Sequence, residues 1–99
     1  MVVTVFRSRL RQPVHEDYGP TADAMEQRAR AMPGFVDFKG FTADDGERVS
    51  LIAFESTEAQ QAWRDDPEHR EAQRRGRDEF YETYTIQVCE LLDERTFAR

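Results

Sequence analysis

The stretch FVDFKGFTADDGERVSLIAFE, residues Phe35 to Glu55, holds two runs of β-branched and aromatic residues around a short polar segment. The composition and alternation of "FVDFKGFT" and "RVSLIAFE" are typical of β-strands. Between them, Asp45-Gly46 favours a hairpin turn, because glycine tolerates the left-handed backbone that such turns need. This stretch therefore predicts an antiparallel hairpin, and the other elements can be placed outward from it.

The residues before the hairpin predict one strand and one helix. "VVTVFRSRL", Val2 to Leu10, is rich in β-branched residues, and both of its faces begin apolar, which is typical of a central strand. "RQPVHEDYGP" (11–20) predicts a long loop that carries His15 and Tyr18. A helix is expected to start with Thr21 as its N-cap and to end at Pro33. Its apolar stripe consists of Ala22, Met25, Ala29 and Met32.

The residues after the hairpin predict a second helical region and a last strand. In "STEAQQAWRDD", Thr57 and Gln60 have the spacing of a capping box. Asp66 and Pro67 then restart the helix, with Asp66 as the cap and Pro67 at the first helical position. The helix continues through "EHREAQRRGRDEFY", and "TYTIQVCELL" (83–92) is the last predicted strand.

The order strand, helix, strand, strand, helix, strand is that of a ferredoxin-like βαββαβ fold of the α+β class. We expect a four-stranded antiparallel sheet with both helices on one face, formed by residues 1–99 as a single domain. The second face of the sheet would then be bare, and a face-to-face homodimer would cover it. The residues expected to supply its apolar surface are Val3, Val5, Val49, Leu51 and Cys89.

Composition and charge exclude several classes of function. The net charge of -6 argues against nucleic acid or an anionic membrane surface as the main partner. One cysteine excludes a disulfide framework, and two histidines and one cysteine far apart in sequence leave no metal site to expect. There is no phosphate loop and no dinucleotide fingerprint, so no cofactor is expected. No apolar run approaches a membrane span, and "MVVTVF" is too short for a signal peptide, so we expect a cytoplasmic protein.

Two residues in "AWRDDPEHREAQ" (62–73) are the main candidates for a site. Trp63, the only tryptophan, either packs beneath the second helix or forms the wall of a cavity. His69 is either a solvated residue of a first helical turn or a proton acceptor, because its ordinary pKa of about 6.5 suits that role. Its helical face continues through Gln73, Gly76 and Phe80. That stripe is too polar for an ordinary core and is typical of a ligand cavity or of a partner-facing helix.

Three segments carry a resemblance to a known family: "MPGFVDFKGF" (32–41), "ERVSLIAFEST" (47–57) and "AQQAWRDDPEHREAQRRG" (59–76). With the order of the elements, they make nearly the whole chain resemble the antibiotic biosynthesis monooxygenase family of dimeric α+β barrels. The resemblance implies a homodimer that forms a dimeric α/β barrel, with a pocket between sheet and helices in each subunit. It implies that Trp63 lies on the pocket wall and that Ser8 faces it.

The family includes cofactor-free oxygenases that act on phenolic polyketides. This branch implies a cofactor-independent monooxygenase-like enzyme that oxidises a small aromatic or polyketide-type substrate with dioxygen. Such an enzyme needs an apolar cavity, a proton acceptor and donors for an oxyanion. His69 and Trp63 are then the expected catalytic residues, with His69 as the proton acceptor. The residues expected to contact the substrate are Phe6, Ser8, Tyr18, Gln73 and Phe80.

Two other hypotheses remain open. The family also includes haem-degrading enzymes, which have an asparagine on the first strand and a histidine ten residues after the tryptophan. Ser8 and Gln73 stand at those positions here, and glutamine is a poor haem ligand beside imidazole. Because these polar positions are altered, the same dimer could instead bind a small hydrophobic molecule without catalysis.

Overall fold

In the computed structural model, which describes residues 1–99, four strands form one antiparallel sheet. In chain order they are β1 (Val2–Leu10), β2 (Phe35–Thr42), β3 (Arg48–Phe54) and β4 (Tyr81–Glu90). Their order across the sheet is β2-β3-β1-β4, so β1 is central and pairs with both β3 and β4. The predicted ferredoxin-like fold is confirmed, as is the central position of β1.

The hairpin between β2 and β3 forms as its sequence predicts. Gly46 has a φ of 90°, which only glycine adopts without strain. The Asp45 carboxylate accepts a hydrogen bond from the Glu47 backbone N–H at 3.0 Å, and the Ala43 N–H donates to the Glu47 carbonyl at 2.8 Å. Local turn chemistry therefore sets the register of this strand pair.

Helix α1 (Tyr18–Ala31) begins earlier than the sequence predicts. The Thr21 N–H already donates to the Asp17 carbonyl at 3.0 Å, so Thr21 lies within the helix and is not its N-cap. Gly19 and Pro20, which suggest a loop, occupy the first helical turn. Proline is tolerated there because the N–H that it lacks has no partner inside the helix. Tyr18 is consequently a helical residue and not part of the long loop.

The second helical region is divided into α2 (Thr57–Asp65), α3 (Pro67–Arg75) and a π-helical turn (Gly76–Phe80), called the π-turn below. Ser56 caps α2 by accepting a hydrogen bond from the Ala59 N–H at 3.1 Å, so the capping box predicted at Thr57 is wrong. The predicted cap at Asp66 and the proline at the first position of α3 are confirmed. The strand β4 begins at Tyr81, two residues before its predicted start.

The core lies beneath α1 and α2. Its buried residues are Ala29, Ile52, Phe54 and Trp63, and Met25 and Met32 of the predicted α1 stripe pack against them. Helix α1 packs on β2 and α2 packs on β3, whereas the helix-facing side chains of β4 remain exposed. No helix is both long and apolar enough to cross a bilayer. The helices therefore cover only part of the sheet.

Candidate functional site

A cavity of ≈ 740 Å³ lies between the helices and the sheet. Its floor consists of three rows of side chains, each of which crosses all four strands in register. The apolar row consists of Phe38, Ile52, Thr4 and Val88. The middle row consists of Gly40, Ser50, Phe6 and Ile86. The polar row consists of Thr42, Arg48, Ser8 and Tyr84.

The floor changes in polarity along the strands. Ile52 of the apolar row belongs to the same buried cluster as Trp63, so this row lies at the tryptophan end of the cavity. The polar row is four residues further along each strand, which corresponds to about 13 Å. It carries Arg48, the one charged residue of the floor. A ligand on this floor would therefore meet an apolar surface at one end and a cationic, hydroxyl-rich surface at the other.

Trp63 and His69 form a stacked pair on the helical wall of the cavity. Their ring centroids are 3.9 Å apart and their planes differ by 13°. His69 Nδ1 lies 3.0 Å from the Trp63 carbonyl oxygen. Because a carbonyl only accepts, Nδ1 holds the proton of the neutral ring and Nε2 is left with its lone pair. The stack thus presents a proton-accepting nitrogen with a fixed ring orientation.

Burial sets the charge of this imidazole. Desolvation lowers the pKa of His69 below its ordinary value, and the hydrogen bond to Trp63 and the charge of Asp66 oppose it only in part. His69 is therefore neutral at pH 7 and able to accept a proton there. The sequence identified His69 as a candidate proton acceptor but did not reveal the burial that keeps it neutral, since the charged residues around it indicated a solvated position.

Asp66 positions His69 at the start of α3. Its carboxylate accepts a hydrogen bond from the His69 backbone N–H at 3.2 Å, and Arg28 of α1 donates to the same carboxylate at 2.7 Å. The hydrogen bond from Arg28 holds the pKa of the buried Asp66 below its usual range, so the cap remains charged. Through this network, α1 fixes the position of the catalytic candidate.

Several polar side chains face the cavity without a partner in the chain. The Thr4 hydroxyl is buried and forms no hydrogen bond. Ser8 and Gln60 are only 4% and 7% exposed, and both line the cavity. Gln73, half-buried, lies one helical turn beyond His69 on the same wall. Buried polar groups are almost always satisfied, and the Thr4 hydroxyl is the one fully buried side-chain polar atom that has no partner in the chain.

Aromatic side chains enclose the polar end of the cavity. Phe6 and Tyr81 meet edge to face with centroids 5.4 Å apart, and Tyr18 meets Phe80 in the same way at 5.8 Å. Burial raises the pKa of Tyr81 well above its usual range, so its phenol stays protonated. Gly76 makes this packing possible, since a Cβ there would lie 2.7 Å from a Tyr81 ring carbon. Phe80, which ends the π-turn, is buried against this group.

The structure brings the two catalytic and five substrate-contacting residues proposed from the sequence to one cavity. Those that line it are Phe6, Ser8, Tyr18, Trp63, His69, Gln73 and Phe80. His15, which the sequence placed in the same predicted loop as Tyr18, does not line it: its ring packs against Phe80 at 5.5 Å, and its Nδ1 accepts the Asp17 N–H at 3.0 Å. The functional roles of the seven lining residues stay predictions.

Sequence reasoning missed Thr4, Arg48, Gln60 and Tyr81. Gln60 had a detectable signal, because it precedes Trp63 by three residues and so shares its helical face. Arg48 had none, because its position depends on the pairing of β3 with β1, where it lies opposite Ser8.

The fold is similar to those of solved structures. Rv0793 from Mycobacterium tuberculosis superposes with a TM-score of 0.83 at 22% identity, covering 96% of this chain and 98% of that one. SnoaB, a cofactor-independent oxygenase from Streptomyces nogalater, superposes with a TM-score of 0.78 at 14% identity, covering 94% of each chain. At these identities the likeness establishes the fold alone.

The sequence comparisons identify the family. The chain is 32% identical over 80 residues to the uncharacterized protein YqjZ of Bacillus subtilis, covering 81% of this chain and 70% of that protein. The profile of the family described as "Antibiotic biosynthesis monooxygenase" matches residues 1–75, which include Trp63, His69 and the strands β1 to β3. The chain therefore belongs to the antibiotic biosynthesis monooxygenase family.

Proposed function

We propose that the protein is a cofactor-independent monooxygenase-like enzyme that oxidises a small aromatic or polyketide-type substrate with dioxygen. The observation that carries the proposal is the Trp63–His69 stack, which turns a neutral imidazole with an unengaged Nε2 toward an aromatic-lined cavity. Membership of the family and the fold shared with the cofactor-independent oxygenase SnoaB support it.

His69 would act as the general base. Nε2 takes a proton from an acidic position of the bound substrate, which leaves an electron-rich anion delocalised over its rings. Unpartnered polar groups such as those of Thr4, Gln60 and Gln73 then donate hydrogen bonds to the developing oxyanion. The anion reduces dioxygen: a ring CH₂ becomes C=O with one oxygen atom, and the other leaves as water. The substrate itself supplies the electrons.

We propose that the enzyme works as a homodimer in the cytoplasm. Val5 lies opposite Leu51 on the sheet face that bears no helix, and Leu51 is exposed there. Two such faces packed together would remove this apolar surface from water while leaving each cavity on the helical side of its own sheet.

Oxygen uptake with 1,8-dihydroxyanthrone as the probe tests the activity. We expect dioxygen consumption and quinone formation in equal amounts at pH 7, without added flavin or metal. The Trp63→Phe, His69→Ala double variant should lose this activity, whereas His15→Ala, which alters the histidine outside the cavity, should keep it. Unchanged turnover in the double variant would remove the residue assignments.

A binding function without catalysis is the second candidate. It is favoured by the uncharged polar groups of the cavity, where Ser8, Gln60 and Gln73 offer hydrogen bonds but no further base. An aromatic molecule retained through native purification, combined with no oxygen uptake, would support binding alone.

Haem degradation is the third candidate, and Gln73 argues against it because an amide replaces the expected imidazole. Added haem should therefore give no shift of its Soret band. A Soret shift followed by decay of the band with reductant would instead establish the haem-degrading activity.

A further inference from the structure

We propose that the polar row is a carboxylate-binding subsite built around Arg48, so that the ligand of the cavity is an aromatic acid. This proposal rests on the proposed function, because it names the substrate class of the same cavity. Its evidence is the position of the arginines that have no carboxylate partner in this acidic chain.

Most arginines of the chain already have carboxylate partners. Of the thirteen arginines in the sequence, eight form ion pairs with aspartate or glutamate, and Arg11 donates to backbone carbonyls instead. The four without such partners are Arg48, Arg70, Arg77 and Arg99. Three of these four, all except Arg99, line the cavity. Unpaired positive charge is thus concentrated at the cavity, although the net charge of the chain is -6.

The carboxylates that line the cavity do not neutralise this charge. Glu26 is engaged by Arg30 at 3.0 Å, and Asp65 is engaged by Arg64 at 3.0 Å. Asp23 is the one lining carboxylate without an arginine partner. The local field therefore favours an anion, and a low-dielectric wall strengthens it.

Arg48 is placed to bind that anion directly. It lies opposite Ser8 in the β1–β3 register, so both side chains leave the same face of the sheet. Its guanidinium lies 5.5 Å from the centre of the Tyr18 ring. Stacking on an aromatic face restricts the guanidinium plane and leaves its N–H groups free for a carboxylate, which arginine binds with two parallel hydrogen bonds.

Ser8 supplies the second observation. The residue is only 4% exposed and lines the cavity, and its hydroxyl makes no hydrogen bond within the chain. A hydroxyl beside an unpaired guanidinium can donate a further hydrogen bond to a bound carboxylate. The apolar row and Trp63 lie about 13 Å away along the strands, so the rings of such an acid would extend over Phe6 toward His69.

Calorimetry with a matched pair of probes tests the subsite. The probes are 2-naphthoate and the neutral 2-naphthamide, which have the same ring system. We expect naphthoate to bind the native protein at least tenfold more tightly than naphthamide. The Arg48→Gln variant should lose this preference through a tenfold loss of naphthoate affinity, with naphthamide affinity unchanged. Ser8→Ala should weaken naphthoate about threefold and leave naphthamide unaffected.

Arg70→Gln is the control, because Arg70 is another unpaired arginine of the cavity wall but lies outside the polar row. It should change naphthoate affinity less than threefold. Equal binding of the two probes, no binding of either at about 1 mM, or an equal loss in Arg70→Gln and Arg48→Gln would each overturn the proposal. The binding test does not require turnover. Arg48-dependent binding of naphthoate, together with no oxygen uptake in the 1,8-dihydroxyanthrone assay, would therefore count against the proposed oxygenase while upholding the subsite.

Discussion

At the scale of single residues, the candidate chemistry depends on where the proton of His69 lies. The Trp63 carbonyl fixes that proton on Nδ1, and burial disfavours a second proton on Nε2. The sequence could name both residues, because one is the only tryptophan and the other follows a helix-starting proline. It could not reveal the stack, which requires the chain to bend between α2 and α3 at Asp66.

The depressed pKa of His69 should make stability depend on pH. Between the folded-state pKa and the unfolded value of about 6.5, the unfolded chain binds more protons than the folded chain. The His69 contribution to the free energy of unfolding is therefore fully present above this window and falls as pH decreases through it. Urea unfolding should show a larger loss from pH 7.5 to pH 5.5 in the native protein than in His69→Gln. An unaltered pH dependence in His69→Gln would contradict the assignment.

At the scale of elements, the predicted bounds were correct where one local sequence pattern was present and wrong where a segment fitted two kinds of structure. The bounds of β1 match the prediction because β-branched residues open the segment Val2–Leu10 and no glycine or proline interrupts it. The start of α1 was misplaced because Gly19-Pro20 is typical of a loop and equally of a first helical turn. Gln60 was assigned to a capping box, yet it is a buried residue of the cavity wall, since Ser56 already caps α2.

The cap at Asp66 should contribute measurably to stability. Asp66→Ala removes the acceptor of the His69 N–H and leaves Arg28 without its main partner. We expect the free energy of unfolding to fall by about 1–3 kcal/mol, measured by urea denaturation. Asp65→Ala is the control, because that exposed carboxylate pairs only with its neighbour Arg64, and it should leave the free energy of unfolding nearly unchanged. Equal costs for the two variants would argue against the cap.

The π-turn should tolerate no side chain at Gly76. Alanine there would place its Cβ 2.7 Å from a Tyr81 ring carbon, closer than real Cβ contacts. We expect Gly76→Ala to lower the free energy of unfolding by about 1–3 kcal/mol through overpacking. Gly19→Ala, where a Cβ meets nothing within 4 Å, should be neutral or stabilising by about 0.5 kcal/mol. Thermal unfolding of both variants tests this, and a neutral Gly76→Ala would show that Tyr81 can move.

At the scale of the whole molecule, the fold was predictable and the composition of the cavity only partly so. The order of elements follows from patterns in consecutive segments of the sequence, whereas the floor of the cavity depends on the pairing register of strands that are far apart in the sequence. Arg48 meets Ser8 across 40 residues of sequence, and no local pattern specifies that pairing. For the same reason, the division of the floor into apolar and polar rows could be seen only in the folded chain.

The bare face of the sheet should determine the oligomeric state. We expect light scattering to give about twice the chain mass of 11.6 kDa. Val5→Glu would bury a charge in the middle of the contact, so it should yield a monomer with an unchanged circular dichroism spectrum. A native protein that sediments as a monomer would contradict the homodimer.

The Trp63–His69 stack also gives the protein an intrinsic optical reporter. An indole pressed flat against an imidazole loses ultraviolet emission when that imidazole becomes cationic, and this chain has a single indole. Fluorescence excited selectively in the tryptophan absorption band therefore comes only from Trp63, on the wall of the cavity. Quenching curves can follow guests and protons at this one place without any attached dye.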